Sequence, residues 1–352
     1  MTTPILPGAG LEAWAVDLPL RRPFATSLGT ITSRRLAIVA IAIDGLVGWG
    51  EAAPYPGHTE PFDRVWAHLR TDPGPAAPQR APTAVAAIDE AVGDLAAKAA
   101  GVPLWAHLGG SAGGVAAGAT VGLAEPAARA REVAALHAAG YRAFKLKIDR
   151  SSPVEEVAAL REAYPDVTFG ADANGSFPAA GDTALARWDR AGLAYLEQPL
   201  PVADLAGLAA LARRFVTPIA LDESAADPAA AREALAAVPG AVLTLKAGRL
   251  GTRQGAALAG EVAAAGSHLR VGGLVESGIG RSHAVALATL PAADVVGDLA
   301  ASDRYFVDDL VDPSWRLDGA GRLLPRDTPG IGVDVDRAAL DRRAFDHIRR
   351  PL

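Results

Sequence analysis

YRAFKLKI (141–148), VTFGADAN (167–174), LAYLEQP (193–199), PIALDE (218–223) and AVLTLKAG (241–248) form a series of five short apolar runs, each with a charged residue near its C-terminal end. Those charges are Lys147, Asp172, Glu197, Asp222 and Lys246, spaced 25, 25, 25 and 24 residues apart. The pattern continues on both sides. GATVGL (118–123) precedes it, and HLRVGGLVE (268–276) and ADVVGDL (293–299) follow. Between the runs lie Ala-rich stretches such as EPAARAREVAALHAAG and TRQGAALAGEVAAAG, whose composition and helical periodicity favour helix. Strict strand–helix alternation implies a parallel sheet, and eight units imply closure into a (β/α)8 barrel. The C-terminal ends of barrel strands surround one mouth. Any one of the five charges could be a surface residue at a loop start; their regular spacing argues that they converge.

The first 115 residues read differently. LEAWAVDLPL (11–20), RRLAIVAIAI (34–43) and LVGWGEA (46–52) are antiparallel strands, the last two joined by the turn dipeptide Asp44-Gly45. PTAVAAIDEAVGDLAAKAAG (82–101) is a helix, with Pro82 near its start and Gly101 past its end. The Pro-rich TDPGPAAPQRAP (71–82) is a loop. After residue 304, WRLDGAGRLL reads as a Gly-turned β pair packing back on the N-terminal region. The expected architecture is an α+β capping domain from 1–115 plus 305–352, and a barrel domain from 116–304.

Composition narrows the function. The chain has 352 residues, half of them hydrophobic, and a mean hydropathy of +0.17, enough apolar surface for a large core. Net charge is −6 with no Lys/Arg block, so nucleic acid and anionic membranes are not expected partners. With no cysteine, disulfides, zinc-thiolate sites and a Cys nucleophile are excluded. The N-terminus, MTTPILPGAGLEAW, lacks a basic region followed by an apolar one, and no long uncharged apolar run occurs. A soluble, cytoplasmic protein is expected.

Asp172, Glu197 and Asp222, from neighbouring strands, can form an oxygen-rich site for a hard divalent ion. Mg²⁺ is the expected ion, with Mn²⁺ as the alternative. Such an ion can stabilise charge growing on a substrate carboxylate when its α-proton leaves. The plainer reading makes the three acids helix caps or paired surface charges. Lys145 and Lys147 alternate in FKLKI and so share one face, inward, with Phe144 and Leu146 outward. Two lysines inside a barrel are costly unless a site needs them, and their pKa values should fall, making one a usable base. Lys246 faces them from the sixth strand. Two bases on opposite faces of one carbon allow racemisation or epimerisation; one suffices for β-elimination. The plainer reading of the lysine pair is a solubility device on an edge strand.

The motifs FKLKI, DANGSF (172–177), EQPL (197–200), LDES (221–224) and LKAGR (245–249) resemble the muconate-lactonising subgroup of the enolase superfamily. PLRRPFATSLGT (19–30) and GWGEAAP (48–54) resemble its two capping loops, and AIDEAVGDLAAKAAGVPL (87–104) its capping-domain helix, so the resemblance covers essentially the whole chain. It implies Asp172, Glu197 and Asp222 as metal ligands, Lys147 and Lys246 as the two bases, and Lys145 beside the substrate carboxylate. It implies Asn174 and Glu223 as residues orienting ligands or the second lysine, and a homo-oligomer acting on a small carboxylate.

GGLVESGIGR (272–281), GDLAASDRYF (297–306) and Arg249 are similar to the branch containing N-succinylamino acid racemase and o-succinylbenzoate synthase, the latter a menaquinone-pathway step. The Asp-x-Asp pair of dipeptide epimerases is absent, since Asp298 is followed by Leu299 and Ala300; the Ala-Ala-Pro at 52–54 is closer to epimerases and cycloisomerases. The expected activity is racemisation of N-succinyl or N-acyl amino acids, o-succinylbenzoate synthesis, or both. Dipeptide epimerisation (such as Ala-Glu) and muconate-type cycloisomerisation are the alternatives, and a catalytically silent barrel is a third class. Phe24 and Tyr55, in the capping loops, and Arg249, Glu276 and Ser277, at the mouth, are the expected substrate contacts. Glu276 is also read as a partner for a lysine.

Overall fold

The computed structural model describes residues 10–26, 29–71 and 81–351, and no side chains for residues 24–29. The stretch 1–9, which bears on a leader segment, and residues 72–80 of the Pro-rich loop lie outside the described residues.

Seven parallel strands hydrogen-bond in chain order: Gly118–Val121, Ala143–Lys147, Thr168–Asp172, Leu196–Glu197, Ile219–Leu221, Val242–Leu245 and His268–Val271. They are the first to seventh barrel strands below. Helices on their outer side include Pro126–Ala138, Glu155–Ala163, Leu205–Arg214, Pro228–Ala237, Thr252–Ala264 and Gly278–Ala288. Outward residues such as Phe144, Leu146 and Phe169 are buried in one large apolar cluster with these helices. Burial on the outer face and in the barrel explains why the strands read as almost continuous apolar runs.

The expected eighth strand is a correction. Residues 293–299 form no regular strand. The segment still lies between the seventh and first strands: Val295 N donates to Leu269 O and Gly118 N donates to Leu299 O, both at 3.1 Å. Asp298 supplies what a ladder would have supplied. Its carboxylate reaches Arg270 of the seventh strand and Thr120 of the first.

The cap is a four-stranded antiparallel sheet in the order Ala344–Pro351, Gly10–Thr26, Gly29–Ile43, Leu46–Ala52. Asp44 and Gly45 both take positive φ (51° and 80°), the requirement of a two-residue type I′ hairpin. The sheet is covered on both sides. Leu11, Ala13, Ala37, Val39 and Ile41 pack with helices Phe62–Thr71 and Pro82–Ala99. Trp14, Val16, Leu36 and Ile38 join the barrel's apolar cluster. Helix Pro82–Ala99 sits so close to Leu46–Ala52 that a Cβ on Gly48 would meet Ala91 O at 1.9 Å, and one on Gly50 would meet Ala87 O at 2.0 Å. Only glycine permits that approach.

The tail also differs from expectation. WRLDGAGRLL turns at Asp318–Gly321, where Gly321 N donates to Asp318 O, but Arg322–Leu323 pairs with Val115–Ala116. The strand that returns to the cap is Ala344–Pro351, paired with residues 10–16. Among the described residues no helix is long and apolar enough to cross a membrane.

Candidate active site

Alternation along the second barrel strand turns Lys145 and Lys147 to the inside. Lys147, Asp172 and Glu197 are the last residues of the second, third and fourth strands; Asp222 and Lys246 immediately follow the fifth and sixth. The five residues singled out by spacing therefore meet at one mouth. Oxygens of Asp172, Glu197 and Asp222 lie within 4.8 Å of one another, and all three residues are buried.

Cations flank this triad. Lys147 Nζ donates to Asp172 Oδ2 at 2.7 Å, and Lys246 Nζ donates to Asp222 Oδ2 at 2.7 Å. Lys145 Nζ lies 3.2 Å from both Asp172 Oδ2 and Glu197 Oε2, and 2.9 Å from Asp298 Oδ2. Arg270 donates to Glu197 Oε2 and Asp298 Oδ1, each at 2.9 Å. Gln198 shapes the mouth from its backbone side: its Oε1 accepts from Asp222 N and Ser224 N at 3.2 Å. Asn174, Gln198 and Val275 all hold positive φ (45°, 37° and 55°), strain gathered at the mouth and kept there by surrounding contacts.

Burial acts to raise the Asp172, Asp222 and Asp298 carboxyls, but the adjacent Lys147, Lys246 and Lys145 override it and hold all three below the usual range. Glu197 behaves otherwise. Burial, with Asp172 and Asp222 beside it, pushes it up to about 7 despite Arg270 and Lys145. For Lys145 the expected fall in pKa is corrected. Burial does act to lower it, but Asp298, Glu197 and Asp172 outweigh burial and hold it well above the usual lysine range. Lys145 is a fixed cation.

The remaining expected contacts divide. Tyr55 lines the cleft above the lysines, together with His58 and Tyr305. Phe24 pairs through its backbone with Ile31, but its side chain lies outside the described residues. Arg249 is not part of the cleft lining; its guanidinium is bonded to Asp222 Oδ1 and, at 3.1 Å, to Asp222 O. Glu276 accepts from Leu274 N at 2.5 Å and lies 3.0 Å from Arg281 Nη2, so its partner is an arginine and not a lysine. Ser277 is fully buried and caps helix Gly278–Ala288, accepting from Ile279 N and donating to Glu51. Ser277 was expected to touch substrate; instead its hydroxyl caps a helix, as short polar residues before a helix commonly do.

Asn174 and Glu223 are linked: Lys147 Nζ donates to Asn174 Oδ1 at 2.7 Å, and Asn174 Nδ2 donates to Glu223 Oε1 at 2.8 Å. Two residues at the mouth were not foreseen. Arg270 carried a legible signal, a charge at an inward position of the HLRV strand. His58 carried none, because it lies in an irregular segment whose direction follows from contacts distant in sequence. Asp298 was noted only for its missing Asp-x-Asp partner, and its bonds to Arg270, Lys145 and Thr120 emerge in the structure.

Two family models match the chain, "Enolase C-terminal domain-like" over residues 126–339 and "Mandelate racemase / muconate lactonizing enzyme, N-terminal domain" over residues 10–72. An o-succinylbenzoate synthase of Geobacillus stearothermophilus is 34% identical, covering 93% of each chain. An N-succinylamino acid racemase of Thermus thermophilus is 35% identical, over 92% of this chain and 93% of the relative. A crystal structure of an enolase-superfamily member from Listeria innocua superposes with a TM-score of 0.88 at 27% identity, over 97% of this chain and 98% of that one.

Proposed function

The chain belongs to the mandelate racemase / muconate lactonizing enzyme family of the enolase superfamily, and on that premise we propose that it removes the proton α to a carboxylate of a succinyl-bearing acid. Two reactions use that half-reaction here: racemisation of N-succinyl or other N-acyl amino acids, and dehydration to o-succinylbenzoate. The observation that carries the reading is the placement of two lysines at the two ends of one carboxylate triad. Lys147 is bonded to Asp172 and Lys246 to Asp222. One lysine, neutral, takes the proton, and the other, as ammonium, returns one on the opposite face. For elimination of water one lysine suffices. Lys145, held protonated, binds the substrate carboxylate.

The triad fits a hard dication. Its donors are all carboxylate oxygens within 4.8 Å, and Glu197 Oε1 is buried without a hydrogen-bond partner among the described residues. Asp172, Glu197 and Asp222 would hold Mg²⁺ or Mn²⁺, which would supply positive charge to offset the negative charge growing on the substrate carboxylate. The cap (1–115 with 305–352) closes the barrel (116–304) and brings Tyr55 over the cleft, excluding water from the reacting carbon.

Dipeptide epimerisation is disfavoured by the bonding of Asp298. Arg270 bonds to one of its oxygens, and Lys145 and Thr120 to the other, so two protein cations already neutralise the charge that a substrate ammonium would need. The test is α-proton exchange in D₂O with Mg²⁺ on N-succinyl amino acids, alongside direct synthase and dipeptide assays. Exchange should stop with EDTA. Lys147→Ala should lose exchange of one enantiomer and Lys246→Ala that of the other. Full activity in either variant, or activity on dipeptides alone, overturns the reading.

A further inference from the structure

Lys147 and Lys246 perform mirror-image roles in the proposed reaction, yet they are held by different parts of the molecule. Lys246 is buried and bonds to Asp222, whose other oxygen is taken by Arg249. Both partners belong to the barrel. The Lys147 side chain is 20% exposed, and a chain of polar contacts leads from it into the cap. Its ammonium donates to Asn174 Oδ1, which fixes the amide orientation: the Asn174 NH₂ must point the other way, where it meets Glu223 Oε1. The same Glu223 Oε1 lies 2.9 Å from His58 Nδ1, a close polar contact and not an aligned hydrogen bond.

His58 is itself held in place. It sits in a tight cap turn in which His58 N and Thr59 N donate to Tyr55 O at 3.0 and 3.1 Å, and Tyr55 N donates to Thr59 Oγ1 at 2.8 Å. The His58 ring packs edge-on against Tyr55 at 5.4 Å, and Arg34 lies 4.7 Å over the Tyr55 ring from below. Arg34 in turn donates to Leu274 O and Val275 O at the barrel mouth. The turn is thus tied to the barrel, and its contact on Glu223 leads through Asn174 to the lysine whose stem is freer.

We propose that His58 is a positioning residue that acts through Glu223 and Asn174 on Lys147, so that the cap steers one base and leaves the other to the barrel. This rests on the two-base reading above. A lysine is a point charge on a flexible four-carbon stem, so its reach to a substrate carbon depends on what fixes its far side. Removing the imidazole leaves Glu223 without its cap partner and loosens its hold on Asn174, so that Lys147 keeps Asp172 but is less firmly fixed on its Asn174 side. Lys246 keeps Asp222 and is unaffected.

The test uses full-length protein with Mg²⁺ in D₂O and the separate D and L forms of N-succinylalanine and N-succinylphenylalanine. Lys147→Ala identifies the enantiomer that depends on Lys147. His58→Phe keeps a ring and removes Nδ1; it should lower kcat for exchange of that enantiomer by up to about tenfold, the bottom of the range for a group bonded directly to a site residue, because His58 acts through two intermediaries, with KM and the other enantiomer unchanged. His58→Asn places an amide NH₂ where Nδ1 stood and should restore most of the rate. Glu223→Gln should give the same one-sided loss from the other end of the contact. Thermal unfolding confirms that each variant is folded. Equal loss for both enantiomers, a rise in KM alone, or no rescue by Asn overturns the positioning role. Exchange of neither enantiomer by the wild type overturns the two-base reading and this inference together.

Discussion

Two groups of buried carboxylates in this protein, one at the barrel mouth and one at the seam between cap and barrel, are held in opposite ways. At the barrel mouth, Asp172, Asp222 and Asp298 face ammonium and guanidinium groups, which keep them ionised against the cost of burial. At the seam between cap and barrel, Glu51 accepts from Ser277 N, Ser277 Oγ and Gly280 N at the start of helix Gly278–Ala288. Glu90 accepts from Glu51 N. Burial pushes Glu51 up to about 7 and Glu90 well above the usual range, because backbone donors and a helix terminus offset desolvation less than a full charge does. The lesson is that the partner, not the depth, sets the charge state. Glu197 behaves like the seam although it lies in the mouth. It is crowded by two other carboxylates, which is the electrostatic condition that a bound dication relieves.

The contrast can be broken most sharply at Arg270, which bonds to both Glu197 and Asp298. Arg270→Met should destabilise the fold by about 3 kcal/mol, the low end for breaking a buried pair, since two buried carboxylates lose one of two counter-charges and keep only Lys145; denaturant unfolding measures it. A loss below about 1 kcal/mol would mean the mouth is far wetter than its burial suggests.

Glu51 tests the seam through pH. Its folded pKa, about 7, lies above the ordinary value of 4.5. Its contribution is therefore fully present below pH 4.5 and is lost as pH rises through 7. Glu51→Gln lacks that term, so the stability advantage of wild type over the variant should shrink by about 3 kcal/mol between pH 4.5 and 8. Parallel stability curves would show that Glu51 is already ionised in the folded protein. Because Glu90 is raised in the same direction, the wild-type slope itself should persist in part.

Next in size is metal linkage at the mouth. Mg²⁺ at about a hundred times its Kd should add about 2.7 kcal/mol to stability, and Glu197→Gln should abolish most of that gain. Calorimetry with and without EDTA checks it; an unchanged gain in the variant would place the ion elsewhere. The smallest expected effect is Ser277→Ala, about 1 kcal/mol, the usual worth of a helix cap. Exchange activity should survive it, because Ser277 bonds to Glu51 and its own helix and not to the mouth. A large loss of exchange with unchanged stability would put Ser277 back among the substrate contacts.

Much of the mouth was legible because a parallel barrel turns sequence period into spatial convergence: residues at strand C-termini share one face of the molecule whatever the details of the helices between them. Asp172, Glu197, Asp222, Lys147 and Lys246 were visible for that reason. Arg249 and Ser277 were visible as polar residues in the right place, yet each points to a protein partner and not to the cleft. A residue's position along the chain says which end of the barrel it occupies, but its rotamer depends on which counter-charge or orphan N–H lies nearest. His58 was invisible because a turn in the cap has no period, and Glu223, its partner, is far away in sequence.

The amino-acid sequence alone determined the alternation of strand and helix, the inward face of FKLKI, the Asp44-Gly45 hairpin and the ring of charges at 25-residue steps, all consequences of local geometry repeated along the chain. Only the tertiary structure decided how the eighth segment closes the ring, which strand of the tail completes the cap sheet, and which buried acids are ionised. Those depend on distances between groups far apart in sequence, such as Asp298 to Arg270 and Glu51 to Ser277. Electrostatic energy in a low-dielectric interior is set by such distances and not by composition.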